Sequence, residues 1–165
     1  SEVVCDTFFG YGKFIFIIEG DMNLLSRSTV FGLFLWDVKN NKWHTREVDI
    51  EFSKWGLEQN MNAQFVVQPD TKKGHKFRFV SQHAEPVPLQ TLVIDWSEKK
   101  IIFSAYKGKV TDFEKEKPYT TFEYTKKIPK PGQMQVRMNL WRFKGKKIDK
   151  EQESVIIRKF QYLKQ

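Results

Sequence analysis

Apolar and polar residues alternate with a period of two through most of the chain. This period is typical of β-strands, because successive side chains of a strand point to opposite faces of the sheet. Glycine, proline and asparagine, which favour turns, separate the alternating segments. The pattern predicts nine strands, at residues 14–18, 29–36, 47–52, 62–68, 76–80, 92–96, 100–106, 133–141 and 155–162.

Helical periodicity is not evident anywhere in the chain. Residues 97–99 are typical of a hairpin turn, and residues 144–153 predict a charged loop with at most one turn of helix. Many short strands joined by turns favour an all-β fold, a two-sheet antiparallel β-sandwich or jelly roll. At 165 residues the chain is expected to form one domain, residues 1–165.

The composition excludes several classes of protein. Hydrophobic residues make up 40% of the chain and aromatic residues 15%, which excludes intrinsic disorder. No apolar run approaches the roughly 18 residues of a membrane-spanning helix. The single cysteine, Cys5, excludes a framework of intrachain disulfides. The net charge of +8 indicates an anionic partner only weakly.

The most informative segment is an acidic strand. Glu47, Asp49 and Glu51 occupy alternate positions and therefore share one face, opposite three apolar residues. At a separation of about 6 Å and an effective dielectric of about 20, each pair of carboxylates repels by about 2–3 kcal/mol. The outer Cα atoms of such a strand are about 13 Å apart. Two glutamate side chains that lean together would bring their carboxyl groups to about 5–6 Å, near the separation in retaining glycosidases.

The triplet alone leaves two interpretations open. One is a catalytic pair of carboxylates with a third between them. The other is a solvated acidic strand face that binds calcium opportunistically, because carboxylate oxygens suit a hard cation.

Further motifs surround the triplet in a defined order. They are Tyr-Gly-Lys-Phe at 11–14, Gln-Thr-Leu-Val-Ile-Asp-Trp at 90–96 with Ile-Ile-Phe at 101–103, and Met-Asn-Leu-Trp at 138–141. With the triplet, they resemble glycoside hydrolase family 16 over nearly the whole chain, and are most similar to bacterial lichenases and plant xyloglucan-modifying enzymes. The resemblance implies a concanavalin A-like jelly roll with a substrate cleft on its concave face.

The resemblance also implies a role for each carboxylate. Glu47 would be the nucleophile, Asp49 the supporting carboxylate and Glu51 the general acid/base. These roles imply a retaining endo-glycoside hydrolase, or a transglycosylase, that acts on a β-linked polysaccharide by double displacement. Such a reaction requires no cofactor and no metal in the site, although a structural calcium ion is compatible with it.

Five residues are expected to bind substrate. Residues 133–141 alternate strictly, with polar residues and one tryptophan at the odd positions. Asn139 and Trp141 match positions that line the family's cleft, and Gln64 matches a polar position on the strand after the triplet. Val66, however, stands where the family often has asparagine. The candidates are Trp36 and Trp141 for stacking on sugar rings, with core or rim packing as the alternative, and Gln64, Arg137 and Asn139 for hydroxyl groups.

The remaining aromatic and histidine residues are less informative. Trp43 and Trp55 bracket the triplet strand and would form a cleft wall or cap the core. His44, His75 and His83 lack the spacing of a zinc site and are expected at the surface.

Two other classes of function remain as alternatives. A non-catalytic, lectin-like carbohydrate-binding module on the same fold would use the same aromatic residues. A nucleic-acid-binding β-domain would fit the net charge and the aromatic content but not the acidic face. A lipid-binding β-barrel is a remoter alternative.

Partners and location follow from the leading interpretation. We expect a polysaccharide or oligosaccharide substrate, no nucleic-acid or membrane partner, a monomer, and an extracellular or periplasmic location. Members of the family usually carry further strands before the region that matches Tyr11 and Gly12. The chain is therefore expected to be a minimal version of the fold or to lack its N-terminal strands.

Overall fold

The computed structural model describes residues 1–39, 46–146 and 152–165. These residues form eleven strands and two short 3-10 helices, Met22–Leu24 and Phe143–Gly145. The strands are β1 (Glu2–Val4), β2 (Gly12–Glu19), β3 (Thr29–Asp37), β4 (Val48–Phe52), β5 (Ala63–Val67), β6 (Lys76–Phe79), β7 (Leu89–Trp96), β8 (Ile101–Lys107), β9 (Thr120–Tyr124), β10 (Met134–Arg142) and β11 (Ile156–Lys164).

The strands pair into two antiparallel sheets, which confirms the predicted all-β, two-sheet class. The larger sheet has the order β1-β10-β3-β4-β5-β6, and the smaller has the order β11-β2-β7-β8-β9. Each sheet belongs to its own compact unit. The first unit comprises Ser1–Gly10, Met22–Ser81 and Pro129–Glu153, and the second comprises Tyr11–Asp21, Gln82–Ile128 and Ser154–Gln165.

The six-stranded sheet has one apolar and one mixed face. Leu33 and Leu35 on β3 and Val48, Ile50 and Phe52 on β4 are fully buried. Because side chains alternate along a strand, burying these residues directs the residues between them to the opposite face. That second face carries the acidic triplet.

In the five-stranded sheet both faces of the central strands are covered. Phe14 and Phe16 on β2 are fully buried. On the other face, Ile15, Tyr106 and Val110 belong to a separate buried cluster, against which partly buried Phe113 packs. The connection after β8 therefore covers this face of the sheet.

All nine predicted strands are present, with ends that differ by a few residues. The hairpin turn is also confirmed, since the Ser97 N–H donates to the Lys100 carbonyl at 2.9 Å. The predicted loop 144–153 begins in the short helix Phe143–Gly145, and its residues 147–151 lie outside the described part.

Two strands were not predicted. Strand β1 has only three residues, all exposed, and β9 has one buried residue, so neither shows a clear apolar face. Both are strands because they pair, β1 with β10 and β9 with β8. In the described residues no helix has the length and apolar character needed to cross a membrane.

Candidate functional site

The acidic triplet lies at the centre of the six-stranded sheet, on and beside β4. Glu47 immediately precedes this strand, and the strand pairs with β3 on one side and β5 on the other. Asp49 lies opposite Phe34 and Val66 in these pairings. Glu51 lies opposite Gly32 and Gln64. The carboxylates thus share the face expected from the sequence, but each has different neighbours.

Glu51 is partly buried and hydrogen-bonded. The side-chain Nε2 of Gln64 donates to its Oε2 at 2.7 Å. Burial raises the pKa of Glu51 to about 7, although the bond from Gln64 opposes this rise, and the charge of Glu47 raises the pKa further. Near neutral pH Glu51 can therefore both hold and release a proton.

Asp49 is more deeply buried, with only 2% of its surface exposed. Burial, and then the charges of Glu47 and Glu51, raise the pKa of Asp49 well above its usual range. Gln68 opposes this effect by donating from Nε2 to Oδ2 of Asp49 at 2.9 Å. Asp49 therefore favours the protonated form more than an exposed aspartate does.

A backbone hydrogen bond and an ion pair fix the end of β4 that lies next to Glu47. The backbone N–H of Gln68 donates to the Glu47 carbonyl at 3.0 Å. Arg46 pairs through Nη1 with Oδ2 of buried Asp37 at 2.7 Å. The other oxygen of Asp37 accepts from the Gln133 N–H at 3.2 Å. Asp37 thereby links the end of β3 to the residues that precede β4 and β10.

Two glutamine side chains support the triplet, and each amide is oriented by a second donor. Arg78 donates from Nε to Oε1 of Gln64 at 3.2 Å. The backbone N–H of Asp70 donates to Oε1 of Gln68 at 2.9 Å. Sequence reasoning missed Gln68 and Arg78, although both alternate correctly with the site face along their predicted strands.

Of the predicted binding residues on β10, Asn139 lies in the same cross-strand row as Glu51. Asn139 pairs with Gly32, which in turn pairs with Glu51, so the three form one cross-strand row. A Cβ atom at Gly32 would lie 2.8 Å from Oδ1 of Asn139. The missing side chain of Gly32 therefore gives Asn139 room above the strand beside Glu51.

Arg137 lies in the row of Asp49, opposite Phe34. Its guanidinium carbon lies 5.8 Å from the ring centroid of Trp36, and its Nη1 pairs with Oε1 of Glu2 at 3.1 Å. Trp36 is partly exposed on this face, whereas its neighbours on β3, Leu35 and Asp37, are buried. The structure therefore places Trp36 with the site rather than in the apolar core.

Trp141 belongs to an aromatic group beyond the Glu51 row. It is 41% exposed, and its ring centroid lies 6.5 Å from that of Phe143. Trp55 meets Phe143 edge-on at 5.3 Å. The backbone of Trp55 is in the left-handed region (φ 53°), which is uncommon for a bulky residue. The structure thus brings Trp55 and Trp141 together around Phe143, whereas Trp43 lies outside the described residues.

The histidines are not part of this site. The Nδ1 of His75 lies 2.8 Å from the Val67 carbonyl. His83 is partly exposed, with 13% of its side-chain surface accessible, and it lies between Asp21 and Glu85. His44 is outside the described part. No group of three or more histidine, cysteine, aspartate or glutamate residues within that part is arranged to hold a metal ion.

Sequence comparisons do not identify relatives of this chain. No protein-family profile matches it, and no curated protein sequence matches it.

Comparison of folds, in contrast, finds solved glucanases. The β-glucanase of Bacillus licheniformis superposes with a TM-score of 0.56 at 20% identity, over 86% of this chain and 57% of that one. A prokaryotic β-1,3-1,4-glucanase (lichenase) from a mouse hindgut metagenome gives 0.56 at 17% identity, over 86% and 57%. A family 16 glycoside hydrolase of Bacteroides ovatus, solved with a product, gives 0.56 at 12% identity, over 84% and 59%.

The chain thus spans less than three fifths of the length of these glucanases. Nevertheless, the chain superposes on each of these three glucanases with a TM-score of 0.56. The chain therefore has the jelly-roll fold of the family 16 β-glucanases, as its motifs predicted.

Proposed function

We propose that this protein is a retaining endo-glycoside hydrolase, or a transglycosylase, that acts on a β-linked polysaccharide. One observation carries the proposal: Glu51 is a partly buried carboxyl group with a pKa of about 7, which the charge of Glu47 helps to raise. Double displacement requires one carboxyl group that holds a proton and a second, ionised one that attacks. The glucanase fold supports the same function.

In the first step, Glu51 donates its proton to the glycosidic oxygen while a carboxylate oxygen of Glu47 attacks the anomeric carbon. The bond between that carbon and the leaving oxygen breaks, and an ester joins the sugar to Glu47. Asp49, which lies between the two glutamates, supports Glu47 and keeps the two pKa values apart.

In the second step, the ionised Glu51 takes a proton from water as the water oxygen attacks the anomeric carbon. The ester bond to Glu47 breaks, and the product keeps its original configuration. A saccharide hydroxyl in place of water would give transglycosylation. The reaction uses only side chains and water, so we propose that it needs no cofactor, and that any structural calcium ion would affect stability rather than turnover.

Substrate would lie on the polar face of the six-stranded sheet. Arg137 and Asn139 supply hydrogen-bonding groups there, and Trp36 and Trp141 supply partly exposed rings. Gln64, which is only 3% exposed, would act on the substrate through its hydrogen bond to Glu51. A polysaccharide substrate would place the enzyme outside the cell or in the periplasm. We further propose that it acts as a monomer without a nucleic-acid or membrane partner.

Two isosteric substitutions test the proposal. Glu47→Gln and Glu51→Gln should each lower kcat by at least about 100-fold, because each removes a group that reacts. The measurement is the release of reducing ends from mixed-linkage glucan, β-1,3-glucan, xyloglucan and β-galactan. Glu58→Gln is the matched control, since Glu58 is exposed in the loop after β4 and pairs with Lys54.

Two results would contradict the proposal. One is full activity in both site variants, and the other is absence of cleavage of every polysaccharide by the wild-type protein. The stereochemistry of the first product, followed by proton NMR, tests the mechanism separately. An inverted product would exclude Glu47 as the nucleophile.

A second candidate is carbohydrate binding without catalysis on the same face. Val66, buried beside Asp49, favours it, because an apolar residue there removes a polar group from the site. Binding of the wild-type protein on a glycan array, with no cleavage of the bound glycans, would establish this candidate instead.

A further inference from the structure

Arg78 lies at the far end of a hydrogen-bonded row that leads across three strands to Glu51. In the sheet, Arg78 on β6 pairs with Gln64 on β5, which pairs with Glu51 on β4. The side chains follow the same order, since Arg78 Nε donates to Gln64 Oε1 at 3.2 Å and Gln64 Nε2 donates to Glu51 Oε2 at 2.7 Å.

The amide of Gln64 has two different ends, and its orientation decides what Glu51 meets. The oxygen of the amide can only accept a hydrogen bond, whereas its nitrogen can only donate. A guanidinium can only donate. Because Arg78 occupies the other side of the amide, the oxygen must turn towards Arg78 and the nitrogen towards Glu51. Gln64 is only 3% exposed, so little water is available to replace either bond.

This orientation affects the two protonation states of Glu51 differently. A donor from Gln64 favours the ionised carboxylate and lowers the pKa of Glu51. If the amide turned over, its oxygen could bond only to the protonated carboxyl group. The orientation therefore opposes the effect of burial.

Other charged groups also face this carboxyl group. Glu47, just before β4, and Asp70, after β5, raise the pKa of Glu51. Lys76 on β6 lowers the pKa of Glu51. Asp49 shares the strand face, whereas the β3 and β10 positions in the row are the uncharged Gly32 and Asn139. Any test of Arg78 must therefore separate the orientation of the amide from the effect of a nearby charge.

We propose that Arg78 is a positioning residue: it orients the amide of Gln64 and thereby sets how readily Glu51 gives up its proton. The geometric part of this inference stands on the hydrogen-bonded row alone. Its catalytic consequence rests on the proposed function, in which Glu51 is the general acid/base.

The test is a double-substitution cycle read by the titration of Glu51 itself. The side-chain carboxyl carbons of glutamate are labelled with carbon-13, and the Glu51 signal is assigned by its loss in Glu51→Gln. Arg78→Met should raise the midpoint of the Glu51 titration by about one pH unit, because the Gln64 amide that donates to the carboxylate is no longer held in place. In a Gln64→Met background, the same substitution should shift the midpoint much less.

Two further variants serve as controls. Lys76→Met removes a charge from the same strand and should shift the midpoint equally in both backgrounds, since it acts through space. Arg78→Lys keeps a cation that can only donate, so it should restore a midpoint close to that of the wild type. Circular dichroism shows whether each variant is folded, and the lysine variant keeps the test available if Arg78→Met is not.

Equal shifts for Arg78→Met in both backgrounds, or no shift in either, would overturn the proposal. If the protein is a hydrolase, the alkaline limb of its pH profile should move upward with the midpoint. The titration needs no substrate, so the two proposals can fail separately. If the shift caused by Arg78→Met depends on Gln64 but no polysaccharide is cleaved, only the hydrolase proposal is contradicted. If a polysaccharide is cleaved but the shift does not depend on Gln64, only the positioning role of Arg78 is contradicted.

Discussion

At the scale of single residues, the three carboxylates differ because their cross-strand neighbours differ. Asp49 lies between Phe34 and Val66, two hydrophobic residues that offer no hydrogen bond from their side chains. Glu51 lies between Gly32 and Gln64, which gives it one open side and one donor. The strands on either side therefore give the two carboxyl groups on β4 different surroundings, and burial raises the pKa of both.

The pH profile of activity should have an alkaline limb near pH 7. As pH rises through the pKa of Glu51, about 7, the group loses the proton that it must give to the leaving oxygen. The measurement is kcat/KM from pH 5 to pH 9 on whichever polysaccharide is cleaved. A profile that stays flat from pH 6 to pH 9 would contradict the assignment of Glu51 as the acid.

Stability should also depend on the protonation of Glu51. Its pKa is raised from 4.5 when unfolded to about 7 when folded, so its favourable contribution is full below about pH 4.5 and is lost as pH rises through 7. Glu51→Gln should therefore raise the free energy of unfolding by about 2–3 kcal/mol at pH 8 and by little at pH 4.

Urea denaturation at these two pH values measures the difference. Asp49 changes stability in the same direction, but it is present in both proteins and does not alter the comparison. Glu58→Gln, at an exposed position, should show no comparable gain at pH 8. A loss of stability in Glu51→Gln at pH 8 would show that the carboxylate is not strained by burial.

At the scale of elements, buried Asp37 organises the end of the site nearest Glu47. It accepts hydrogen bonds from Arg46 before β4 and from Gln133 before β10. These contacts need close approach by Gly132, where a Cβ atom would lie 2.1 Å from Oδ2 of Asp37 and 2.6 Å from Nη1 of Arg46.

Gly132→Ala should therefore destabilise the protein by about 1–3 kcal/mol, because the added methyl group displaces a charge-assisted pair whose aspartate is buried. Thermal and urea unfolding measure the change. Gly10→Ala is the matched control, since nothing lies within 4 Å of a Cβ atom there, and it should change stability by less than about 0.5 kcal/mol. Equal effects of the two substitutions would refute a special role for Gly132.

At the scale of the whole molecule, the two compact units differ in the residues that their sheets carry. The first unit carries the acidic face on its six-stranded sheet, and the second carries a five-stranded sheet whose faces are both covered. The chain has a net charge of +8, yet the three carboxyl groups of the triplet all lie in the first unit. We expect the carboxyl groups of the triplet to weaken the binding of polyanions at this face despite the overall charge.

Binding to oligonucleotides should accordingly be weak and non-specific. Contacts between scattered cations and phosphates release counterions, so any affinity at 50 mM salt should fall steeply by 200 mM salt. Fluorescence anisotropy with labelled single- and double-stranded DNA measures this. Sequence-dependent binding that persists at 200 mM salt would favour a nucleic-acid partner over a saccharide.

The sequence by itself determined nine of the eleven described strands and the shared face of the triplet. Alternation is a property of residues two apart, so the burial of Val48, Ile50 and Phe52 is enough to place Glu47, Asp49 and Glu51 on the other face. It also determined the two-sheet class, because turn residues separate nearly all of the strong apolar segments.

Only the tertiary structure decided the neighbours of each carboxylate and the existence of β1 and β9. Register joins residues far apart in the chain, such as Glu51, Gln64 and Asn139, and no local pattern specifies which of them will meet. Alternation places Arg78 and Gln68 on a face of their strands, but only the pairing of the strands brings them beside the triplet. Proton affinity depends on burial and on these contacts, and both arise only when the strands pair.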